Sequence, residues 1–246
     1  MDLEVEVNKF VETILANYKV KKVRDQKAIH ERVWGTNLYL KHEIALLDTP
    51  LIQRLRRIFQ TGLVFLTYPS SLHTRFDHTL GCISLVSRFV HRLKERTPQT
   101  DIYIDDNPEK GDLAELRMAA LLHDCGHAFF SHVSEHVYQR YPEMTQFSSS
   151  DEFTHCKAHE ILSYLIVKSV AFKSFFKENI ESNYPISIDL DTVAKYIIGK
   201  TKEPSKLFLA HIINGPFDVD KIDYIFRDSS FGFNRQKVLV KFVNYT

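Results

Sequence analysis

The chemistry-bearing heart of this chain is Leu121-Leu122-His123-Asp124-Cys125-Gly126-His127, where an imidazole and a carboxylate close an apolar run. Two remote segments carry compatible groups: Arg75-Phe76-Asp77-His78 before it and Asp218-Val219-Asp220-Lys221-Ile222-Asp223-Tyr224 after it. A frame gathering His78, His123, Asp124 and Asp220 would offer two imidazole nitrogens and two carboxylate oxygens to one divalent cation. That donor set suits Mn²⁺, Fe²⁺, Zn²⁺, Ni²⁺ or Mg²⁺ without selecting among them. Such an ion acidifies water and polarises a substrate oxygen, and phosphate esters are natural targets. Asp124 at a helix C-terminus meets a partial negative charge, which calls for a compensating cation. An adjacent His-Asp pair alone arises by chance, and His78 alone could be a surface or capping residue. The three segments together point to a metal-dependent enzyme.

Helices must hold these groups. Residues 3–18 place Val7, Phe10, Val11, Ile14, Leu15 and Tyr18 at helical spacing. Residues 33–40 read as a short hairpin around Gly35 to Asn37. Asp48-Thr49-Pro50 predicts a helix start, with Asp48 as cap and Pro50 in the first turn, running through Leu51, Leu55 and Ile58. Tyr68-Pro69-Ser70-Ser71 breaks the pattern, and a helix from His78 to Glu95 follows on a stripe of Leu80, Ile83, Val86, Phe89, Val90 and Leu93. Residues 97–112 read as a loop, and a helix spans Leu113 to Cys125. The polar, serine-rich stretch 141–153 predicts a mobile loop near the site. Further helices are expected over 157–170, 171–182 and 189–199, and a last one from Asp218 through Arg227.

Composition agrees with a helical fold. Hydrophobic residues make up 44% and aromatics 12% of 246 residues, enough for a sizeable core that buries roughly three quarters of the unfolded surface. Only 8 Gly and 8 Pro weigh against a turn-rich β-sandwich. Basic residues number 32 against 31 acidic ones, so no global field steers nucleic acid, although a local basic pocket is allowed. Cys82, Cys125 and Cys156 form no paired framework and read as reduced thiols. The N-terminus lacks a secretory pattern, and no apolar run reaches the ~20 residues needed to cross a bilayer. A soluble, cytoplasmic protein without membrane attachment is expected.

Several motifs now combine in order: Asp48-Thr49-Pro50 with Gln53-Arg54-Leu55-Arg56, and His73-Thr74-Arg75-Phe76-Asp77-His78-Thr79-Leu80-Gly81. They continue through Leu122 to His127, Phe130-Ser131-His132, His159-Glu160, the Asp218 to Tyr224 segment, and Arg227-Asp228. Over residues 27–236 this text resembles the HD-domain phosphohydrolase superfamily, closest to its deoxynucleoside triphosphate triphosphohydrolase branch. The resemblance implies an all-α helical bundle, with residues 1–26 as an N-terminal helix or arm and 27–246 as the phosphohydrolase domain. It implies His78, His123, Asp124 and Asp220 as metal ligands, preferring Asp220 over Asp218 because the family's ligand directly precedes the Lys. It further implies His159, His127 and Glu135 as catalytic groups, with His159 the leading acid/base. Arg75, Gln60, His132, Lys221, Tyr224 and Asp228 match substrate-binding positions, Arg75 through its planar, permanently charged fork. Thr61 follows Gln60 where some relatives carry a larger apolar residue. His155, four residues before His159, is a rival on the same face if the helix reaches back that far. Asp223 and Arg227, four apart, are expected to be a surface ion pair worth roughly a few tenths of a kcal/mol.

Regulated members of the family bind an activating nucleotide and form oligomers. Lys27, Asp48, Gln53 and Arg56 match positions contacting that nucleotide, although Asp48 also reads as a cap and Gln53 and Arg56 as helix surface. A homo-oligomer is therefore expected. Relatives continue past the equivalent of Thr246 with helices that complete the base pocket, so the C-terminal lobe is either truncated or compact. The implied reaction is hydrolysis of a nucleotide substrate, a dNTP favoured, to deoxynucleoside and triphosphate. The alternatives are a phosphodiesterase or nuclease acting on single-stranded nucleic acid, a nucleotide monophosphatase, and a non-catalytic nucleotide-binding regulator.

Overall fold

A computed structural model describes residues 2–96 and 103–231. Twelve α-helices and one two-stranded antiparallel hairpin are found among them. Helices α4 (Arg75–Arg96) and α5 (Gly111–Leu122) form the central pair, with α12 (Val219–Phe231) against α4 and α10 (Leu190–Ile197) and α11 (Leu207–Ile213) against α5. Leu80, Ile83, Val86 and Val90 of α4 are buried with Leu116, Ala119, Ala120, Leu121 and Leu122 of α5. The predicted α4 stripe thus faces the core, as its 3.6-residue period requires. No helix is long and apolar enough to cross a membrane among the described residues.

Helix α1 (Leu3–Leu15) begins where the Asp2 side chain accepts from Glu4 N at 3.0 Å, an N-cap bond. Val7, Val11 and Leu15, four apart, bury one face, which packs against α8 (Ala158–Lys168) and α9 (Val170–Phe176). The helix joins the common core and ends earlier than residue 18.

The hairpin lies upstream of its predicted place. Strands β1 (Lys27–Glu31) and β2 (Gly35–Tyr39) pair from Lys27 with Tyr39 to Glu31 with Gly35. The turn is therefore Arg32-Val33-Trp34, not Gly35 to Asn37. Glu31 sets it: its carboxylate accepts from Val33 N at 3.1 Å and from Trp34 N. Helix α2 (Lys41–Leu47) follows, and Asp48 ends it as an exposed residue. Asp48 is thus no N-cap; Thr49 takes that position for the short α3 (Pro50–Gln53), which tightens into a 3₁₀ turn over Arg54–Arg57.

Glu43 of α2 is fully buried and makes bonds of 2.6 and 2.7 Å to the Arg117 guanidinium of α5. Burial raises the Glu43 carboxyl, but the Arg117 charge outweighs it and holds the group below the usual carboxylate range. A carboxylate depressed in the folded state stabilises above its unfolded pKa of about 4.3 and loses that contribution as pH falls towards the folded value. Glu43→Gln leaves a buried guanidinium without its anion and is expected to cost about 3–5 kcal/mol in urea unfolding at pH 7. The parent should then lose more stability than the variant between pH 5 and 3, as flagged by that reference pKa of about 4.3. Equal acid losses would remove the pair from the account.

The stretch expected as a mobile loop at 141–153 is ordered. It forms α7 (Pro142–Ser148) and a 3₁₀ turn at Asp151–Phe153. Met144 and Phe153 are buried, and Phe153 meets Tyr164 of α8 edge-on at 5.1 Å. Two buried apolar residues among polar ones suffice to seat it. Of the loop predicted at 97–112, residues 97–102 lie outside the described residues, as does the C-terminal stretch 232–246.

Candidate metal centre and active site

Three elements deliver the four predicted donors. On α4, the Thr74 Oγ1 and N–H both bond Asp77 Oδ2, at 2.8 and 3.0 Å, fixing the first turn and placing Arg75 and His78 one turn apart on one face. On α5, His123 is the C-cap and Asp124 follows. On α12, Asp218 accepts from Lys221 N at 2.7 Å and Gly215 N at 3.0 Å, so it caps the helix while Asp220 turns to the imidazoles. His78 Nε2 lies 2.9 Å from Asp220 Oδ1, 3.2 Å from His123 Nε2 and 3.8 Å from Asp124 Oδ2. His123 Nε2 lies 3.5 Å from Asp124 Oδ1 and 3.9 Å from Asp220 Oδ1. Donors sharing one ion at about 2.1 Å stand roughly 3.0–3.4 Å apart. The His78 contacts to Asp220 and His123 are close to that, and the pairs at 3.5–3.9 Å must draw in by a few tenths of an ångström around a cation.

The donor chemistry fits a cation. His123 Nδ1 donates to Ala120 O at 2.8 Å, and a carbonyl can only accept, so Nε2 keeps its lone pair. His78 Nδ1 donates to Asp223 Oδ2 at 2.7 Å, which turns Nε2 towards the other donors. Burial lowers this ring, but Cys82, Asp220 and Asp223 raise it well above the ordinary histidine value, so a cation would take the place of the proton on Nε2. Burial raises the Asp124 carboxyl, but Arg75, His123 and His127 together hold it well below the usual range. Cys82 also abuts His78, yet burial pushes its thiol up to about 12, leaving Asp124 and Asp220 as the anionic donors.

A second cluster adjoins the first. Glu135 Oε1 sits 2.7 Å from His132 Nδ1 and 2.8 Å from His159 Nδ1. Burial raises Glu135, but these two bonds prevail and keep it well below the usual carboxylate range. His127 stacks on His159 at 3.9 Å, with its Nε2 3.4 Å from Asp124 Oδ1. Burial, the Arg75 charge and His159 push His127 well below the ordinary histidine value, so its ring is neutral at pH 7. Arg75 joins the clusters: Nη1 bonds Asp124 Oδ2 at 2.9 Å and Nη2 lies 3.1 Å from His132 Nε2. A continuous run of contacts thus connects Asp124, Arg75, His132, Glu135 and His159.

Other predicted residues fall into place less directly. Lys221 Nζ is engaged by Asp218 Oδ2 and Gly215 O, at 2.5 and 2.8 Å. Asp228 bonds buried His73 at 2.7 Å, and Tyr224 is half-buried one turn after Asp220. Gln60 is buried, and its backbone carbonyl accepts from Ser131 Oγ at 3.0 Å. His155 stands exposed outside α8 at φ 70, whereas His159 is buried against Glu135. Lys27 and Asp48 are exposed, while Gln53 accepts from Arg56 Nε at 2.8 Å.

Sequence reasoning missed several supports. Arg54 donates to His127 O at 2.5 Å and to Cys125 O, so with Arg75 it supplies positive charge at the α5 C-terminus. Gly126 permits close approach of α8: a Cβ there would meet His159 O at 2.3 Å. Its N–H donates to Ser163 Oγ at 2.8 Å, which donates on to His123 O at 2.5 Å. Asp223 and Arg227 are no surface pair. Both are buried, in a bidentate pair at 2.8 Å. Their i,i+4 spacing was visible, but spacing alone does not say which face is inward.

The HD domain model matches residues 75–227, a span that contains His78, the His123-Asp124 pair and Asp220. The chain belongs to the HD-domain family. HD domains bind divalent metals, and two groups here, His78 with Cys82 and His123, and His127 with His132, Glu135 and His159, could hold one. Deoxynucleoside triphosphate triphosphohydrolase SAMHD1 of Gallus gallus is 34% identical over 75% of this chain and 30% of that protein. The Bos taurus SAMHD1 is 30% identical over 82% of this chain and 35% of its own length. An uncharacterized MG461 homolog of Mycoplasma pneumoniae is 34% identical over 76% and 38% respectively. The crystal structure of a hypothetical protein from Aquifex aeolicus superposes with a TM-score of 0.60 at 26% identity, covering 84% of this HD-domain chain and 46% of that one. The chain thus spans less than half the length of these relatives.

Proposed function

We propose that this HD-domain chain is a metal-dependent nucleotide phosphohydrolase that converts a dNTP to deoxynucleoside and inorganic triphosphate. The observation carrying this is that His78 and His123 lie 2.9–3.9 Å from each other and from Asp124 and Asp220, beside the Glu135–His159 pair. A divalent ion held there supplies Lewis-acid polarisation of a phosphoryl oxygen and a more acidic water. In the reaction, a bond forms from water oxygen to the α-phosphorus and the bond from that phosphorus to O5′ breaks. His159 moves the proton: Nδ1 is tied to Glu135, so Nε2 is the exchanging atom, and the Glu135 anion stabilises the imidazolium. Neutral His127 stacks beside it without adding repulsive charge. Arg75 orients Asp124 and carries positive charge towards the phosphates, with His132 at the α-phosphate. Gln60, Tyr224 and Asp228 are assigned to the sugar and phosphates, and Lys221 reaches a phosphate by exchanging its bond to Asp218.

Exposed Lys27 and Asp48, with the Gln53–Arg56 pair, are the proposed regulatory nucleotide site, and a homo-oligomer is the proposed assembly. The chemistry is tested by incubating the protein with Mn²⁺ and each dNTP and identifying the products. Inorganic triphosphate with free deoxynucleoside is expected. Pyrophosphate or orthophosphate redirects the reading to another bond, and cleavage of a single-stranded oligonucleotide instead points to a phosphodiesterase.

A further inference from the structure

The candidate centre is braced by an element that supplies none of its donors. Asp223, which orients His78, is itself held on both oxygens. Its Oδ2 accepts from Arg227 Nε at 2.8 Å, and its Oδ1 accepts from Arg227 Nη2 at 2.8 Å and Trp34 Nε1 at 2.6 Å. Arg227 Nη1 donates onward to Glu31 Oε2 at 2.9 Å. Glu31 precedes the hairpin turn and Trp34 is its last residue, and the Glu31 carboxylate also ties down that turn through the Val33 and Trp34 N–H groups. Glu31, Asp223, Arg227 and His78 are all buried, so water does not compete for these bonds.

A second observation comes from α4. Gly81 lies three residues after His78, and a Cβ there would meet Asp223 Oδ1 at 1.9 Å and Arg227 Nη2 at 2.5 Å. The Asp223–Arg227 pair therefore fills the space that any side chain at position 81 would need. The carboxylate is fixed by three donors and a wall, and can neither rotate nor retreat from His78.

We propose that Glu31, Trp34, Gly81 and Arg227 are positioning residues of the metal centre, through which the β-hairpin sets its affinity for a divalent ion. This rests on His78 being a ligand. Arg227 and Trp34 lock Asp223, Asp223 fixes the His78 tautomer and ring plane, and His78 Nε2 then points where the other three donors converge. Outer partners of this kind typically change metal affinity by about 10–100-fold when lost. Glu31 acts furthest out, by holding both Arg227 and the turn that carries Trp34.

The test is calorimetric titration of Mn²⁺ into the whole chain and its Trp34→Phe and Gly81→Ala variants, with the Co²⁺ absorption spectrum recorded in parallel. Trp34→Phe keeps a ring against Phe226, 5.4 Å away between centroids, and removes the N–H donor. Mn²⁺ affinity is expected to fall roughly 10-fold in Trp34→Phe and about 100-fold in Gly81→Ala, with an altered Co²⁺ ligand-field band. The metal-free Trp34→Phe protein should unfold close to the parent temperature, which a general loss of packing would not allow. Parent affinity and an unchanged Co²⁺ band in Trp34→Phe overturn the inference, and that variant decides the matter should Gly81→Ala not fold. A His78→Ala variant that binds Mn²⁺ as the parent does, or a parent that binds none, overturns the ligand reading and this inference with it.

Discussion

Asp124→Asn is expected to abolish divalent-metal binding and nucleotide hydrolysis together while leaving a folded helical protein. Asp124 joins both histidine donors to the second cluster: Oδ1 faces His123 and His127 at 3.5 and 3.4 Å, and Oδ2 lies 3.8 Å from His78 Nε2 and accepts from Arg75 at 2.9 Å. An amide of the same shape keeps one acceptor for Arg75 but offers a cation no negative charge. Loss of an inner donor should exceed the roughly 10–100-fold typical of outer-layer changes, placing Mn²⁺ affinity beyond easy measurement. Arg75 is only 2% exposed, and its other bonded partners among the described residues are neutral oxygens and the His132 ring. Asp124→Ala should therefore destabilise by about 3–5 kcal/mol, the cost of stranding one member of a buried pair. Asp124→Asn is the cleaner variant because it retains the hydrogen bond. Metal content and turnover are measured on the same folded sample. Parent-like Mn²⁺ uptake by Asp124→Asn would remove this carboxylate from the donor set.

Motif residues were legible in the sequence because the chemistry restricts their types. His78, His123, Asp124 and Asp220 lie together as the combined motifs and the family resemblance implied, and helix periodicity accounts only for the inward apolar faces of the helices that carry them. The supports were not legible for a physical reason: they act across long sequence separations. Trp34 meets Asp223, Arg54 meets the backbone at Cys125 and His127, and Glu43 meets Arg117. No local pattern encodes such pairs. Spacing showed that Asp223 and Arg227 share a face, but burial was decided by Glu31 from the hairpin and by the closeness of α4 at Gly81. The hairpin itself was displaced in the reading because β1, Lys-Ala-Ile-His-Glu, lacks the apolar alternation that marks a strand. The helix at 142–148 was hidden in a polar stretch because Met144 and the neighbouring Phe153 are enough to anchor it against α8.

His159→Ala is expected to reduce kcat by about 10²–10⁴-fold, the usual contribution of a positioned acid/base, with Mn²⁺ affinity unchanged. The separation of the two effects follows from geometry: His159 bonds Glu135 and stacks on His127, and so stands one residue removed from the donor Asp124, which His127 meets at 3.4 Å. Glu135→Gln should act through His159. Glutamine keeps an acceptor for the ring Nδ1 but removes the negative charge facing it, so kcat should fall by less than in His159→Ala, at unchanged Mn²⁺ affinity. Once His159 is gone, Glu135 has no proton-transfer partner left to tune. The double variant should therefore be no slower than His159→Ala alone, a non-additivity expected of groups working as a unit. If the two losses multiply instead, Glu135 acts on the substrate independently, through His132 and the α-phosphate rather than through His159. If His159→Ala turns over at the parent rate, proton transfer belongs to another group, and neutral, buried His127 beside Asp124 becomes the residue to replace next.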